Sequence, residues 1–261
     1  MKNQKIMSLK NDKIQQLVLL HERKNRFLQQ MFLVEGQHLI TMALLQKRLI
    51  TVFIDEDFIH KYHLLLAKCV NQEIIITNAT VINKLSQNKN PQPLIGVCNI
   101  IKPATTLVTK NIVLIDNIQD PGNLGNILRS VSAFNISEVY LSLTSVDLYN
   151  HKVISASQGA IFFINVYYEN FDDLLIRVKK NSYTIYGTFL HEKNSTCLPW
   201  EQFSTKNAFL FGNEGSGINE KYKLQINKNI IIPTTTKVES LNLATSVAIV
   251  IYCLFAKNIL K

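Results

Sequence analysis

Apolar and polar residues alternate along this chain in two rhythms, and the switches between them outline its elements. From residue 31 onward, short β-rich runs ("MFLVEG", "ITVFID", "EIIITN", "LIGVCNI") are separated by segments with helical spacing ("QHLITMALLQKR", "IHKYHLLLAKCV"). Strand-length runs alternating with helix-length runs predict an α/β unit of about a hundred residues. "IKPATTLVTKN" follows at 101–111, with a proline and adjacent threonines between apolar runs. It predicts a linker with the boundary near Val108, dividing the chain into domains 1–107 and 108–261.

The second part repeats the alternation with more continuous strands: "NIVLID", "EVYLSL", "IFFINVYY", "YTIYGTF", "NAFLFG" and "NIIIP". Such near-continuous apolar runs belong to strands buried on both faces, so a parallel sheet covered by helices is expected. The final segment, Ser240 to Leu260, is apolar almost all round. It must be buried on most sides, inside the domain or against another subunit.

With 261 residues, 47% of them hydrophobic, the chain can bury one large core or two modest ones. Its formal net charge of +9 is unevenly spread. Met1 to Gln30 holds seven basic residues (Lys2, Lys5, Lys10, Lys13, Arg23, Lys24, Arg26) against Asp12 and Glu22. Such an arm favours a polyanion such as nucleic acid, because each neutralised phosphate releases condensed counterions. A solvated basic tail is the alternative. Cys69, Cys98, Cys197 and Cys253 lie far apart without a Cys-x-x-Cys pair, and no His/Cys/carboxylate cluster is visible, so neither a metal nor a disulfide scaffold is expected. The N-terminus lacks a signal-peptide apolar core. The longest apolar stretch, Leu241 to Phe255, is interrupted by Asn242, Thr245 and Ser246 and is too short to span a membrane, so a cytoplasmic protein is expected.

Three stretches carry candidate chemistry. In "DNIQDPGNLGNILRSVSAF" (116–134), Leu124, Ile127, Leu128, Val131 and Phe134 form a helical stripe, with Asn123 expected as the N-cap and Pro121 in the entering turn. Gly125 and Arg129, four residues apart, fall together on the other face. A glycine inside a helix costs about 1 kcal/mol relative to alanine. An anionic ligand approaching the helix N-terminus and held by Arg129 explains it, and so does a ligand-free Pro-Gly turn. "FLFGNEGSGIN" (209–219) runs a buried strand into three glycines around Glu214, a loop whose backbone can meet a ligand or simply turn tightly. Neither a Walker lysine nor a Gly-x-Gly-x-x-Gly is present, which disfavours a nicotinamide-dependent oxidoreductase. In "IIIPTTTKVESLNLATSVAIVIY" (230–252), Ser240 is expected to cap the last helix, and Asn242 in its first turn needs partners from backbone or ligand.

Together, "DNIQDPGNLGNILRSVSAF", "FGNEGSGI" and "IIPTTTKVESLN" resemble the motifs of the SpoU/TrmH family of RNA ribose 2′-O-methyltransferases in the SPOUT superfamily. "VDLYNHKVISASQGAIFFINV" resembles the stretch after the first motif, and "ERKNRFLQQMFLVEGQHLI" is similar to the substrate-binding domain of rRNA-modifying members. The resemblance implies an N-terminal ribosomal-protein-like α/β RNA-binding domain. A SPOUT α/β domain would follow, with a parallel sheet, a C-terminal trefoil knot and homodimerisation through that domain. S-adenosyl-methionine would be held by Thr188, Gly212, Asn213, Gly217, Ile232, Ser240, Leu241 and Asn242. Arg129, Asn123, Glu214, Ser240 and Asn242 would serve catalysis, Arg129 as phosphate and ribose clamp or as proton acceptor. The first domain leans toward 23S rRNA over tRNA as substrate. A catalytically silent RNA-binding protein of the same fold is the reading from a different class. The sequence departs from the family pattern at Thr236, where a glycine is usual, and at His151 and Ser155, where proline and arginine are frequent.

Overall fold

The computed structural model describes residues 3–102, 107–188, 195–198, 201–235 and 237–259. They group into two compact units, Met1–Lys102 with Tyr149–Phe162, and Pro103–Leu148 with Phe163–Lys261.

The first unit runs β1 (Asn3–Lys5), α1 (Asp12–Val18), α2 (Arg23–Gln29), β2 (Met31–Glu35), α3 (Gln37–Leu45), β3 (Leu49–Asp55), α4 (Ile59–Lys68), β4 (Glu73–Thr77), α5 (Ala79–Leu85) and β5 (Leu94–Asn99). Its sheet has the order β1-β4-β3-β5-β2, with β1, β4 and β3 parallel and β5 antiparallel to both its neighbours. Ile14, Leu20, Phe53, Ile75 and Val97 meet in one buried cluster. The basic arm is folded into this unit rather than trailing from it. The backbone of β1 pairs with β4, Lys5 meets Glu56 at 2.8 Å, and Lys13 is paired with Glu73. Arg26 is buried, its Nη1 donating to the carbonyls of Leu20 (2.7 Å) and His21 (2.8 Å).

The second unit begins with β6 (Asn111–Ile115), α6 (Pro121–Ala133) and β7 (Glu138–Ser142). The segment 149–162, which contains α7 (His151–Ser157), then groups with the first unit instead. This differs from a contiguous domain 108–261, and aromatic packing is the cause. Tyr149 and Phe162 set their rings 4.6 Å and 6.1 Å from Phe32, and the Tyr149 hydroxyl accepts from the Ile101 amide at 2.9 Å. Ala160–Phe162 is a 3-10 turn, so the strand expected from "IFFINVYY" starts only at Asn165. The second unit continues with β8 (Asn165–Glu169), α8 (Phe171–Lys180), β9 (Thr184–Thr188), β10 (Ser195–Cys197), β11 (Asn207–Phe211), β12 (Lys228–Ile231) and α9 (Leu243–Ile259).

All these strands are parallel, in the order β10-β12-β9-β11-β6-β7-β8. The buried-strand pattern therefore gave the sheet its expected form, with β11 wholly buried between β6 and β9. Where the chain enters this unit, Glu138 is buried and its carboxylate accepts from the amides of Leu107 (3.1 Å), Val108 (3.1 Å) and Thr109 (3.0 Å) and from the Tyr140 hydroxyl (2.8 Å). Four donors offset the cost of burying that charge. α9 packs against α6. Among the described residues no helix is long and apolar enough to cross a membrane.

Candidate active site

Because every strand of the second sheet points the same way, the turns that leave β6, β11 and β12 and the end of β9 lie at one edge. The turn after β6 carries Asn117 in the left-handed region (φ 56°) and leads to α6. Asp120, not Asn123, caps this helix. Its Oδ1 accepts from the Asn123 amide at 2.6 Å, and Pro121 occupies the first helical position, where its missing N–H leaves no bond unmade. An Asp-Pro pair at a helix mouth is the signal that identifies the cap. The Asn123 side chain is thereby released for other contacts. Gly125 is buried while Arg129 is exposed, so the two do not share the open face expected of them.

After β11 the chain folds back on itself. Asn213 and Gly217 exchange two backbone hydrogen bonds of 3.0 Å, and Asn213 Oδ1 accepts from the amides of Gly215 (2.9 Å) and Ser216 (3.3 Å). Asn213 Nδ2 reaches across to the Asn117 carbonyl at 2.8 Å, tying this loop to the turn after β6. Gly212 is fixed by close approach. A Cβ there would stand 1.9 Å from the Gly217 carbonyl carbon and 2.1 Å from the Ile218 nitrogen, both backbone. The requirement for glycine thus comes from the loop's own chain. Gly217 needs its freedom for a different reason, a φ of 69°.

The third stretch closes the arrangement. Asn242, rather than Ser240, caps α9, its Oδ1 accepting from the amides of Ala244 (2.9 Å) and Thr245 (3.3 Å). Its Nδ2 donates to Asn123 Oδ1 at 2.9 Å, and Asn123 Nδ2 donates to Glu214 Oε1 at 3.3 Å. The Asp120 amide also points at that carboxylate oxygen, at 3.4 Å. One relay, Glu214 to Asn123 to Asn242, therefore joins three segments, with Asn123 on α6 lying 91 and 119 positions from its two partners. Asn242 is exposed, so its amide is partnered without being buried.

Of the remaining candidates, Thr188 ends β9 with its hydroxyl 3.5 Å from the Leu210 carbonyl. Ile232 follows β12 and Leu241 precedes α9, both half-buried, and Ser240 is exposed. Thr236 lies outside the described residues. His151 opens α7 in the first unit, where burial, with help from Lys152, His21 and Arg26, holds its imidazole below the ordinary histidine range. Ser155 lies on the same helix.

Arg129 makes no hydrogen bond or ion pair among the described residues. It lines a groove of about 490 Å³ together with Asn126, Ser130, Asn242, Thr245 and Tyr252. An exposed guanidinium with all its donors unspent is suited to an anionic oxygen from outside. Asp116, at the end of β6, is half-buried, and this burial pushes its carboxyl above the usual carboxylate range against the opposing hydrogen bond from Ser142. Sequence reasoning missed Asn117 and Asp120, which set the turn that positions Asn123. Among the described residues no group of three or more His, Cys, Asp or Glu is placed to hold a metal ion.

A parallel α/β sheet with three loops locked together at its carboxyl edge defines a ligand-binding enzyme domain of the α/β class. Residues 110–252 match the SpoU rRNA Methylase family, and residues 11–96 match the MRM3-like substrate binding domain. The chain belongs to the SpoU rRNA methylase family. It is 28% identical over 250 residues to the 23S rRNA (guanosine(2553)-2′-O)-methyltransferase RlmP of Bacillus subtilis, covering 95% of this chain and 97% of that one. A crystal structure of an RNA 2′-O ribose methyltransferase is similar at a TM-score of 0.84 and 25% identity, covering 98% and 99% of the two chains. The AdoMet-bound rRNA methyltransferase from Sinorhizobium meliloti shares the fold at a TM-score of 0.86 and 23% identity over the whole of both chains.

Proposed function

We propose that this chain transfers the methyl group of S-adenosyl-methionine to a ribose 2′-hydroxyl of RNA, with 23S rRNA as the substrate. The observation that carries this reading is the Glu214–Asn123–Asn242 relay, which brings the three family motifs into one site with Arg129 open beside it. The edge also fits the cofactor. It offers backbone at strand ends, and at Gly217 the space a Cβ would enter is empty to 4 Å. Thr188, the loop Gly212–Gly217, Ile232 and the turn Ser240–Asn242 would hold it. When bound, S-adenosyl-methionine supplies an electrophilic methyl group. The protein's part is to place the ribose oxygen in line and to relieve it of a proton. Arg129 clamps the RNA phosphate and ribose so that the hydroxyl proton can pass to the clamped phosphate and on to water, while Glu214, Asn123 and Asn242 fix the cofactor loop against α6 and α9.

The trefoil knot belongs to this reading. It is supported by the strand order β12-β9-β11-β6 together with the packing of α9, which follows β12, against α6, which follows β6. Homodimerisation through α6 and α9 belongs to it too. Tyr252 is 55% exposed beside Phe134, with ring centroids 5.6 Å apart, and a second copy would cover that surface. Single-turnover methylation, donor affinity and melting temperature of Arg129→Ala and Arg129→Lys test the assignment. The expected result is loss of most methyl transfer in the alanine variant with affinity and stability kept, and incomplete rescue by lysine, whose point charge lacks the planar fork of donors. Preserved turnover in the alanine variant refutes it.

A further inference from the structure

Helix α2 presents an unusual face to solvent. Its one inward charge, Arg26, is spent on backbone carbonyls of the preceding turn, which fixes the helix and turns Arg23 and Phe27 outward one turn apart. Phe27 is 42% exposed and Leu28 69% exposed, and nearby Leu19 is 48% exposed. Short surface helices do not ordinarily leave adjacent large apolar side chains in water. Over the Phe27 ring stands the Arg23 guanidinium, 5.7 Å from the centroid, while Tyr149 meets the ring edge-on at 6.5 Å. Those contacts hold the ring in place, Arg23 over part of one face and Tyr149 at its edge, and leave the rest of it in water. Lys24, on the same helix, is exposed.

An exposed aromatic ring flanked by cations is complementary to one class of partner. Its ring face suits a planar base, and the cations suit the phosphates on either side of that base. An apolar protein surface would gain nothing from the cations, and a folded duplex would hide its bases from the ring. We propose that Phe27 is a stacking platform for an unpaired base of the RNA substrate, taken on the part of the ring that Arg23 leaves open, with Lys24 engaging an adjoining phosphate. This rests on the RNA-methylating reading above and specifies where, and in what form, the first unit grips its substrate: a single-stranded segment, held by stacking as well as by charge.

The test uses the full chain and a twelve-nucleotide single-stranded RNA carrying 2-aminopurine, titrated at several salt concentrations. On the wild type and on Phe27→Trp the fluorophore is expected to be quenched by stacking. On Phe27→Ala the quench is expected to vanish, with affinity lowered about 5- to 150-fold by the same factor at every salt concentration. Lys24→Ala is expected to keep the quench and to reduce the slope of log affinity against log salt by about 0.7. Unchanged RNA affinity in Phe27→Ala overturns the proposal, and so does equal loss in the alanine and tryptophan variants. Failure of the methyltransferase reading would show separately, as a wild-type protein that does not bind S-adenosyl-methionine.

Discussion

Replacing Gly212 with alanine adds one methyl group, yet it is expected to dismantle the loop proposed to hold the cofactor. Ordinary contact for a Cβ begins near 3.4 Å, and here the nearest atom stands at 1.9 Å, so the loop must retreat by about 1.5 Å. The obstructing atoms are backbone of Gly217 and Ile218, and no rotamer change relieves them. A shift of that size breaks the two Asn213–Gly217 bonds and the two that Asn213 Oδ1 accepts. Taking the low end of about 0.5 kcal/mol for each exposed bond, the loop loses roughly 2 kcal/mol of preorganisation, equivalent to about a thirtyfold weaker ligand. Calorimetric titration with S-adenosyl-methionine, beside a thermal melt, reads the effect. Affinity should fall at least thirtyfold, with a lowered melting temperature beside it, because residues 213–217 lie outside the core but Ile218, which the new Cβ meets, packs within it. Gly215→Ala is the internal control, since its Cβ would meet only Asn213 Oδ1 at an ordinary 3.5 Å. Wild-type affinity in Gly212→Ala, or equal losses in both variants, refutes the reasoning.

Asn123→Ala and Asn242→Ala remove the two ends of one 2.9 Å bond, so their effects on donor affinity should be non-additive by about 0.5–3 kcal/mol in a double-mutant cycle. Glu138→Gln turns an NH2 group toward two buried donors, and chemical denaturation should show a loss of about 3 kcal/mol. Asp116 has a folded pKa raised by burial, so its ionisation opposes folding: the penalty is absent below the ordinary carboxylate range, grows as pH rises from that range to the raised value, and is constant above it. Asp116→Asn should therefore be more stable than wild type at neutral pH, with the advantage fading as pH falls into the carboxylate range in urea titrations.

The strands of the second unit were legible because burial on both faces leaves an unbroken apolar run, as in "NIVLID" and "NAFLFG". Strand β1 was not. "NQK" carries no apolar signal and is held to the sheet by backbone bonds to β4 alone, so the first residues read as a charged tail. The consequence is practical: deleting Met1 to Lys13 would remove a strand and open α1, and it could not isolate the contribution of charge. Point substitutions on α2 separate charge from fold. "IFFINVYY" failed in the opposite way, because an apolar run says that a segment is buried but not beside which neighbour. Ile161 and Phe162 are buried in a 3-10 turn grouped with the first unit.

The candidate site was legible as three stretches of chemistry but not as a circuit. Asn123, Glu214 and Asn242 were all nominated through the family resemblance of their motifs, yet the two caps were assigned three and two residues away from where they stand. The reason is geometric. A helix mouth written Asp-Pro-Gly-Asn offers two residues able to cap, and proline decides between them, since its fixed φ and missing N–H suit the first helical turn and leave Asp120 to cap. Once Asp120 takes that task, Asn123 has both ends of its amide free. An amide can donate to a carboxylate at one end and accept from a second amide at the other. Aspartate at 123 would repel Glu214, and serine would fall short of one partner. The relay therefore depends on Asn123 being displaced from the cap, so the resolution of one local ambiguity at the start of α6 determines how the three loops are joined.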